Sequence, residues 1–309
     1  MRAELLFEAD NAQGASAIAA QAPWVERKRD LSVAEFVRDH LRPRRPVVLV
    51  NALRDWPALG KFTHEYFRRE YPDLPVQVRG QPHRLADVLD LQMASSAQRP
   101  GPYPCTLSAT ADLLADLTPR FACSLPTRAG SRLIPKSIFG LINHMEIFFG
   151  GPGGGFPRVH CDMLHLHAWI TQAQGEKEVT VYEHGQEHLL YVNPDLPWLS
   201  AIQDPHDHDR YPLLRQARAH HVVLRPGDAL FMPQGTWHTA RCLGMNITVA
   251  FDQLEPTNWR AFVRDVAAEQ RRNGRPLKGL LFGAYLRALG PLFDAMEMLG
   301  AHKRTDWRS

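Results

Sequence analysis

Residues 138 to about 253 constrain the fold most, because short β-like runs follow one another there with only brief turns between them. Pro-Gly and Gly-rich turns separate the runs, which is typical of strands rather than helices. The predicted strands cover residues 145–149, 159–170, 178–182, 188–192, 222–224, 229–232 and 246–251. Strands at such short spacing are typical of a sandwich or a barrel.

Helical patterns flank this β region on both sides. Ser32 followed three residues later by Glu35 is a capping-box pattern that predicts a helix start. Apolar residues recur at helical spacing from residue 259 to 299. We therefore predict an N-terminal extension (1–25), a main domain (26–255, with its barrel core at about 138–253) and a C-terminal helical region (256–309).

Composition excludes several functional classes. The 36 Lys and Arg residues against 33 Asp and Glu residues give a net charge of +3, which is too small to favour a nucleic-acid binder. The 4 cysteines form no CxxC pair, so neither a disulfide framework nor a zinc ribbon is indicated. No run approaches the roughly 18 apolar residues of a membrane span, and the N-terminus is a poor signal peptide. We expect a cytoplasmic protein that does not bind a membrane.

The His-Cys-Asp sequence at residues 160–162 carries the clearest chemical signal. Side chains alternate between the two faces of a strand, so His160 and Asp162 point the same way. His238 follows much later, after a turn, a short strand and a second turn, and enough chain lies between for several strands to bring it beside His160. Two histidines and one carboxylate on one face form the facial triad typical of non-haem Fe(II) oxygenases, with open positions for a co-substrate and O₂.

Together with Gly175-Glu176-Lys177 and the PGDALFMPQGTWH segment at residues 226–238, this HxD…K…H arrangement resembles the JmjC and cupin-like Fe(II)- and 2-oxoglutarate-dependent oxygenases, closest to their hydroxylase branch. Residues 31–36, 45–49 and 55–59 also resemble the N-terminal part of these proteins, so the likeness covers roughly residues 30 to 255. It implies a mainly β fold, a double-stranded β-helix of the jelly-roll type, with N-terminal and C-terminal helices. In that branch the helices after the barrel often form a dimer interface, so a homodimer is expected.

The resemblance also assigns roles to individual residues. Lys177 is implied to pair with the distal carboxylate of 2-oxoglutarate, as an ammonium on a long stem can do inside a barrel. The alternative is a surface lysine between two glutamates. Pro157 and Ile170 stand where the family often has polar residues, so Asn246 and Thr248 become candidates for the remaining co-substrate contacts. The candidates for substrate contact or support are His165, His167, Trp169 and Arg158, with structural histidines and a surface arginine as the alternative.

The implied function is a dioxygenase that uses Fe(II), 2-oxoglutarate and O₂ to hydroxylate an unactivated C–H of an amino-acid side chain. The substrate is a protein, a peptide or an amino-acid-derived small molecule, and succinate and CO₂ are the co-products. The intact Asp162 favours hydroxylation over halogenation, and demethylation ranks lower because no reader domain is recognisable. A cupin metalloenzyme that does not use 2-oxoglutarate and a non-catalytic cupin-like binding module remain open alternatives.

Overall fold

A computed structural model describes residues 23–108, 128, 131–135, 138 and 145–299. Most of the predicted N-terminal extension therefore lies outside the described residues. The strands are β1 (Glu26–Lys28), β2 (Val47–Leu49), β3 (Pro75–Val78), β4 (Gln81–Arg84), β5 (Cys105–Ser108), β6 (Met145–Gly150), β7 (His167–Gln174), β8 (Lys177–Tyr182), β9 (Ala219–Leu224), β10 (Ala229–Met232), β11 (His238–Cys242) and β12 (Asn246–Gln253). The helices are α1 (Val33–Phe36), which continues as a π-helical turn (Val37–Leu41), α2 (His64–Glu70), α3 (Leu85–Met93), α4 (Trp259–Arg272) and α5 (Pro276–Met298).

Two sheets form the barrel. The described strands of the larger sheet run in the order β1-β2-β10-β7-β12-β6-β5-β3-β4, and those of the smaller sheet in the order β11-β8-β9. Strand β12 is central, because it pairs antiparallel with both β6 and β7. The predicted class, a mainly β jelly-roll with helices at both ends, is confirmed.

The barrel core begins earlier in the chain than the predicted residue 138. Strand β2, buried at all three positions, pairs with β10, and β5 pairs with β6. These pairings join residues far apart in sequence, so local periodicity gives no sign of them.

Two of the predicted strands are corrected as well. Residues 188–192 contain no strand, because a 3₁₀ turn (Glu187–Leu189) occupies their start. The predicted strand 159–170 is interrupted by a 3₁₀ turn (Met163–His165). In that turn Leu164 and His165 have φ values of 59° and 50°, left-handed conformations that a strand cannot accommodate.

The N-terminal helix begins as its sequence predicts. The Ser32 hydroxyl accepts a hydrogen bond from the Glu35 N–H, and the Glu35 carboxylate accepts one from the Ser32 N–H, so the capping box is confirmed. The helix then buries Phe36 against Trp169 and Phe231 on the outer face of the larger sheet. This contact fixes the N-terminal segment on the barrel.

The C-terminal helices α4 and α5 pack on each other and on the 3₁₀ turn after Asp162. Leu164 and Leu166 share a buried cluster with Phe262 and Phe293. A side chain at Gly290 would meet the Trp259 indole nitrogen at 2.9 Å, so glycine allows the two helices to approach closely. None of the helices in the described part of the chain combines the length and the apolar character needed to cross a membrane.

Candidate metal centre and its cavity

The structure brings His160, Asp162 and His238 together inside the barrel. Their candidate ligand atoms all lie within 4.8 Å of one another. Backbone pairing sets this geometry, because the His160 N–H donates to the His238 carbonyl at 2.9 Å and the His238 N–H donates to the His160 carbonyl at 2.7 Å. This backbone bridge therefore brings the distant His238 beside the segment that carries His160 and Asp162.

Both histidines are oriented by backbone carbonyls. His238 Nδ1 lies 3.0 Å from the Thr236 oxygen, and His160 Nδ1 lies 3.2 Å from the Arg158 oxygen. A carbonyl only accepts hydrogen bonds, so each Nδ1 carries the hydrogen and each Nε2 lone pair is free for a metal. Burial and the neighbouring His238 lower the pKa of His160 to about 3, which keeps its ring in the neutral form that binds metals.

The donor set fits a divalent cation. Burial raises the pKa of the Asp162 carboxyl, and the nearby His238 only partly opposes this shift. A carboxylate whose burial outweighs the charge of its histidine neighbour is incompletely balanced, and a divalent metal would supply the missing positive charge. Two imidazoles and one carboxylate suit a first-row metal such as Fe(II).

A cavity of about 310 Å³ surrounds the three residues. On β6 and β7 alternate positions line the cavity, as the period of two in a strand requires, and on β12 Thr248 and residues 250–252 line it. Besides the triad, its polar and aromatic lining includes Thr106, Glu146, Phe148, Phe156, Lys177, Thr248, Phe251 and Asp252.

Lys177 points into this cavity and is only 2% exposed. Its ammonium lies 3.2 Å from the Tyr103 hydroxyl and within 6 Å of the Tyr103 and Phe148 ring centres. Burial lowers the pKa of Lys177. The neighbours Glu176 and Glu178 instead pair with arginines at the surface, so the alternative of a surface lysine is wrong.

Tyr103, the hydrogen-bond partner of Lys177, is a residue of the site that the sequence analysis missed. It is buried, and burial is the main reason that its pKa lies well above the ordinary value, so the phenol keeps its hydrogen. It stands in a proline-rich stretch without periodicity, just before β5. No motif in that stretch marks it, and only the pairing of β5 with β6 brings it to Lys177.

The two predicted co-substrate contacts on β12 differ in position. Thr248 lines the cavity, and its hydroxyl lies within 3.0 Å of both the Gln172 and the Asn246 side-chain oxygens. Asn246 is buried behind Thr248, where its amide donates to the Glu176 carbonyl. Thr248 can therefore contact a bound molecule, while Asn246 orients Thr248.

Trp169 is not among the residues that line the cavity, so of its two predicted roles, substrate contact and support of the site, the structure is compatible with support alone. Ala168 and Ile170 face the cavity from β7, so the residue between them points to the opposite side. There Trp169 packs against Phe36, and its indole N–H donates to Gln253.

The two further histidines support the triad from behind. His165 pairs with Asp265 on α4, which fixes the turn after Asp162. His167 is fully buried, accepts a hydrogen bond from the Gln234 N–H at Nδ1, and donates from Nε2 to Glu255 at 3.0 Å. The hydrogen bonds of His167 with Gln234 and Glu255 hold the turn that leads to His238. Arg158 contributes its backbone carbonyl, which orients the ring of His160.

Removing the acceptor for His167 should loosen the turn before His238. We expect Glu255→Leu to lower metal affinity by about 10- to 100-fold, the range typical for residues that orient metal ligands. Glu255→Gln keeps an acceptor oxygen and should retain most of the affinity. Titration of each folded variant with Co(II) measures the effect, and an unchanged affinity in Glu255→Leu would refute this role.

Fold and site together define a double-stranded β-helix protein with a His-Asp-His metal site. Residues 33–251 match the family described as "Cupin-like domain", and the chain belongs to that family. The predicted resemblance to the JmjC and cupin-like 2-oxoglutarate oxygenases is confirmed at this level.

Several curated proteins are similar to this chain. "Lysine-specific demethylase JMJ30" of Arabidopsis thaliana is 24% identical over 242 residues, which cover 74% of this chain and 54% of that protein. "Lysine-specific demethylase 8" of Xenopus tropicalis is 26% identical over 245 residues (70% and 50%). "Bifunctional peptidase and (3S)-lysyl hydroxylase JMJD7" of Homo sapiens is 24% identical over 255 residues (68% and 79%). The chain spans only about half the length of the two demethylases.

Proposed function

We propose that this chain is an Fe(II)- and 2-oxoglutarate-dependent dioxygenase. It would hydroxylate a C–H bond of an amino-acid side chain in a protein, a peptide or an amino-acid-derived small molecule, with succinate and CO₂ as co-products. One observation carries the proposal: the His-Asp-His donor set and the buried Lys177 line the same cavity. A facial triad leaves metal positions open, and a buried ammonium recognises a carboxylate by charge-assisted hydrogen bonds.

Separate residues of the site would hold the metal and the co-substrate. His160, Asp162 and His238 would hold Fe(II), which when bound supplies the O₂ chemistry that couples oxidation of 2-oxoglutarate to that of the substrate. Lys177 and the Tyr103 hydroxyl would bind the distal carboxylate of the co-substrate, with Thr248 as a further hydroxyl and Asn246 orienting it.

Hydroxylation is the reaction that we propose, and demethylation of an N-methyl group is its closest alternative. Two of the relatives named above are called lysine demethylases and one a lysyl hydroxylase. Hydroxylation of a C–H bond is common to both reactions, so the same triad would serve either.

Succinate formation tests this function directly. Purified protein with Fe(II), 2-oxoglutarate, ascorbate and O₂ should release succinate, and omission of either Fe(II) or 2-oxoglutarate should stop it. Co(II) titration should show one metal bound per chain. Metal binding without any effect of 2-oxoglutarate would favour the cupin metalloenzyme, and absence of metal binding would favour the binding module.

We also propose a homodimer formed through α5. Large apolar side chains stand exposed at helical spacing along it, with Leu277 68% and Leu281 59% exposed. Tyr285, Leu292 and Leu299 continue the stripe. An exposed apolar stripe of this length is typical of an interface between chains.

A cytoplasmic location remains part of the proposal, in keeping with the free thiols of Cys105, Cys161 and Cys242.

A charge in the centre of this stripe should separate the subunits. We expect Leu281→Glu to turn a dimer into a monomer, since pairing would bury an unpaired carboxylate. Sedimentation velocity measures the change, with Leu91→Glu as the control, an equally exposed leucine on α3. A wild-type monomer at micromolar concentration would contradict the proposal.

A further inference from the structure

Phe156 separates the metal cavity from a second pocket outside the barrel. The outer pocket, of about 290 Å³, lies against the smaller sheet, where Glu178 and Thr180 of β8 line it. Val179, which stands between them in sequence, points the opposite way into a buried cluster, so the pocket lies on the outer face of this sheet. Among the described residues, Phe156 and Ala240 are the two that line both spaces. Alanine offers only a methyl group, so the Phe156 ring forms most of the partition.

The ring of Phe156 lies beside the path from the metal site to Lys177. Its centre is 4.8 Å from the ring centre of the metal ligand His160. It is also 5.4 Å from the Tyr103 ring and 5.8 Å from the Phe148 ring. These are the two rings whose centres lie within 6 Å of the Lys177 ammonium. A co-substrate held by the metal and by Lys177 would therefore pass along the Phe156 ring.

The loop that carries Phe156 is fixed by its backbone. The Phe156 N–H donates to the Ala240 carbonyl of β11 at 3.0 Å. Cys242 of the same strand makes two more backbone hydrogen bonds with this loop, at 2.7 and 2.9 Å. A side chain at Gly151 would meet the Gln92 carbonyl oxygen at 2.7 Å, so glycine lets the loop pack closely on α3. The ring therefore forms a rigid wall, which moves aside only if these hydrogen bonds break.

Resting on the proposed function, we propose that Phe156 sets the size limit of the co-substrate site. The space between the metal site and Lys177 takes an unbranched 2-oxo dicarboxylate, and the fixed ring excludes one that carries an alkyl branch on C3 or C4. Extra carbon atoms forced against a packed wall cost binding energy in the same way as an overpacked core. Without the ring the partition opens, and a branch can extend into the outer pocket.

Binding of branched co-substrate analogues tests this assignment without turnover. The probes are 2-oxoglutarate, 3-propyl-2-oxoglutarate and 4-propyl-2-oxoglutarate, each titrated by calorimetry into the Mn(II)-loaded full chain. We expect the unchanged protein to bind 2-oxoglutarate at least about 30-fold more tightly than either branched analogue. Phe156→Ala should reduce this preference to about threefold or less for at least one analogue, because the branch no longer meets the ring.

Matched variants complete the test. Phe156→Leu keeps an apolar side chain of intermediate size and should lower the preference less than Phe156→Ala does. Phe282→Ala removes a ring of α5 that lines neither pocket, and it should leave the preference unchanged. A crystal structure of metal-free Phe156→Ala should show the two spaces joined.

Three results would overturn the assignment alone. They are an unaltered preference in Phe156→Ala, equal binding of branched and unbranched probes by the unchanged protein, and a Phe156→Ala structure in which the two spaces stay separate. Absence of 2-oxoglutarate binding in the unchanged protein would overturn the assignment and the proposed function together. A size preference that depends on Phe156 in a protein without succinate formation would support the assignment and refute the proposed function alone.

Discussion

Asp162→Ala is expected to abolish succinate formation and to weaken metal binding by at least about 100-fold. The substitution leaves two neutral imidazoles and removes the only charged ligand of the triad, so both a donor atom and the compensating negative charge are lost. The structure places the carboxylate of Asp162 within 4.8 Å of both histidine ligand atoms. Calorimetric titration with Co(II) and the succinate assay measure the two losses.

The neighbouring Cys161 provides a matched control. It lies between His160 and Asp162 but points away from the cavity, into a buried cluster with Tyr182 and Trp237. Cys161→Ala should therefore keep metal affinity and turnover, with only a modest loss of thermal stability. Equal loss in Cys161→Ala and Asp162→Ala would mean that the segment tolerates no change, and full activity in Asp162→Ala would refute the triad.

The local residue pattern predicted those strands that occupy one uninterrupted run of sequence bounded by turns. Strands β6, β8, β10 and β12 fall close to their predicted positions, because β-branched and aromatic residues fill runs bounded by turns. The bend at Leu164 and His165 could not be predicted this way, since its left-handed residues are not glycines. Tertiary contacts hold them, including the buried cluster around Leu164 and the bonds of His165 to Asp265 and Asn258.

The three metal ligands could be predicted from the sequence for a similar reason. Alternation along one short segment puts His160 and Asp162 on one face, and a single further histidine completes the set. The contact of Tyr103 with Lys177 and the place of Asp252 in the cavity could not be predicted, because they depend on the register of β5 against β6 and of β12 against β7. Register between distant strands is set by the packing of the whole sheet, which a local pattern does not contain.

Lys177→Met is expected to have opposite effects on function and stability. A buried ammonium whose described partner is one neutral hydroxyl is costly to fold, and methionine offers an apolar side chain of similar length beside Phe148 and Tyr103. We expect the metal-free variant to be more stable by about 1–4 kcal/mol, the range for buried ion pairs that are replaced by apolar groups of similar volume. We expect its affinity for 2-oxoglutarate to fall by about 100-fold, because the carboxylate would lose its charged partner.

Opposite shifts separate a functional lysine from a structural one, because residues kept for binding commonly lower the stability of the free protein. Thermal unfolding of the metal-free protein and calorimetry of 2-oxoglutarate with the Mn(II)-loaded protein measure the two effects. Tyr103→Phe removes only the hydroxyl and should weaken the binding of 2-oxoglutarate by about tenfold. Lys28→Met, which removes an exposed lysine from an ion pair with the half-buried Glu26 outside the cavity, should change neither quantity appreciably. A Lys177→Met protein that is less stable but binds 2-oxoglutarate normally would show that the buried charge supports the barrel rather than the co-substrate.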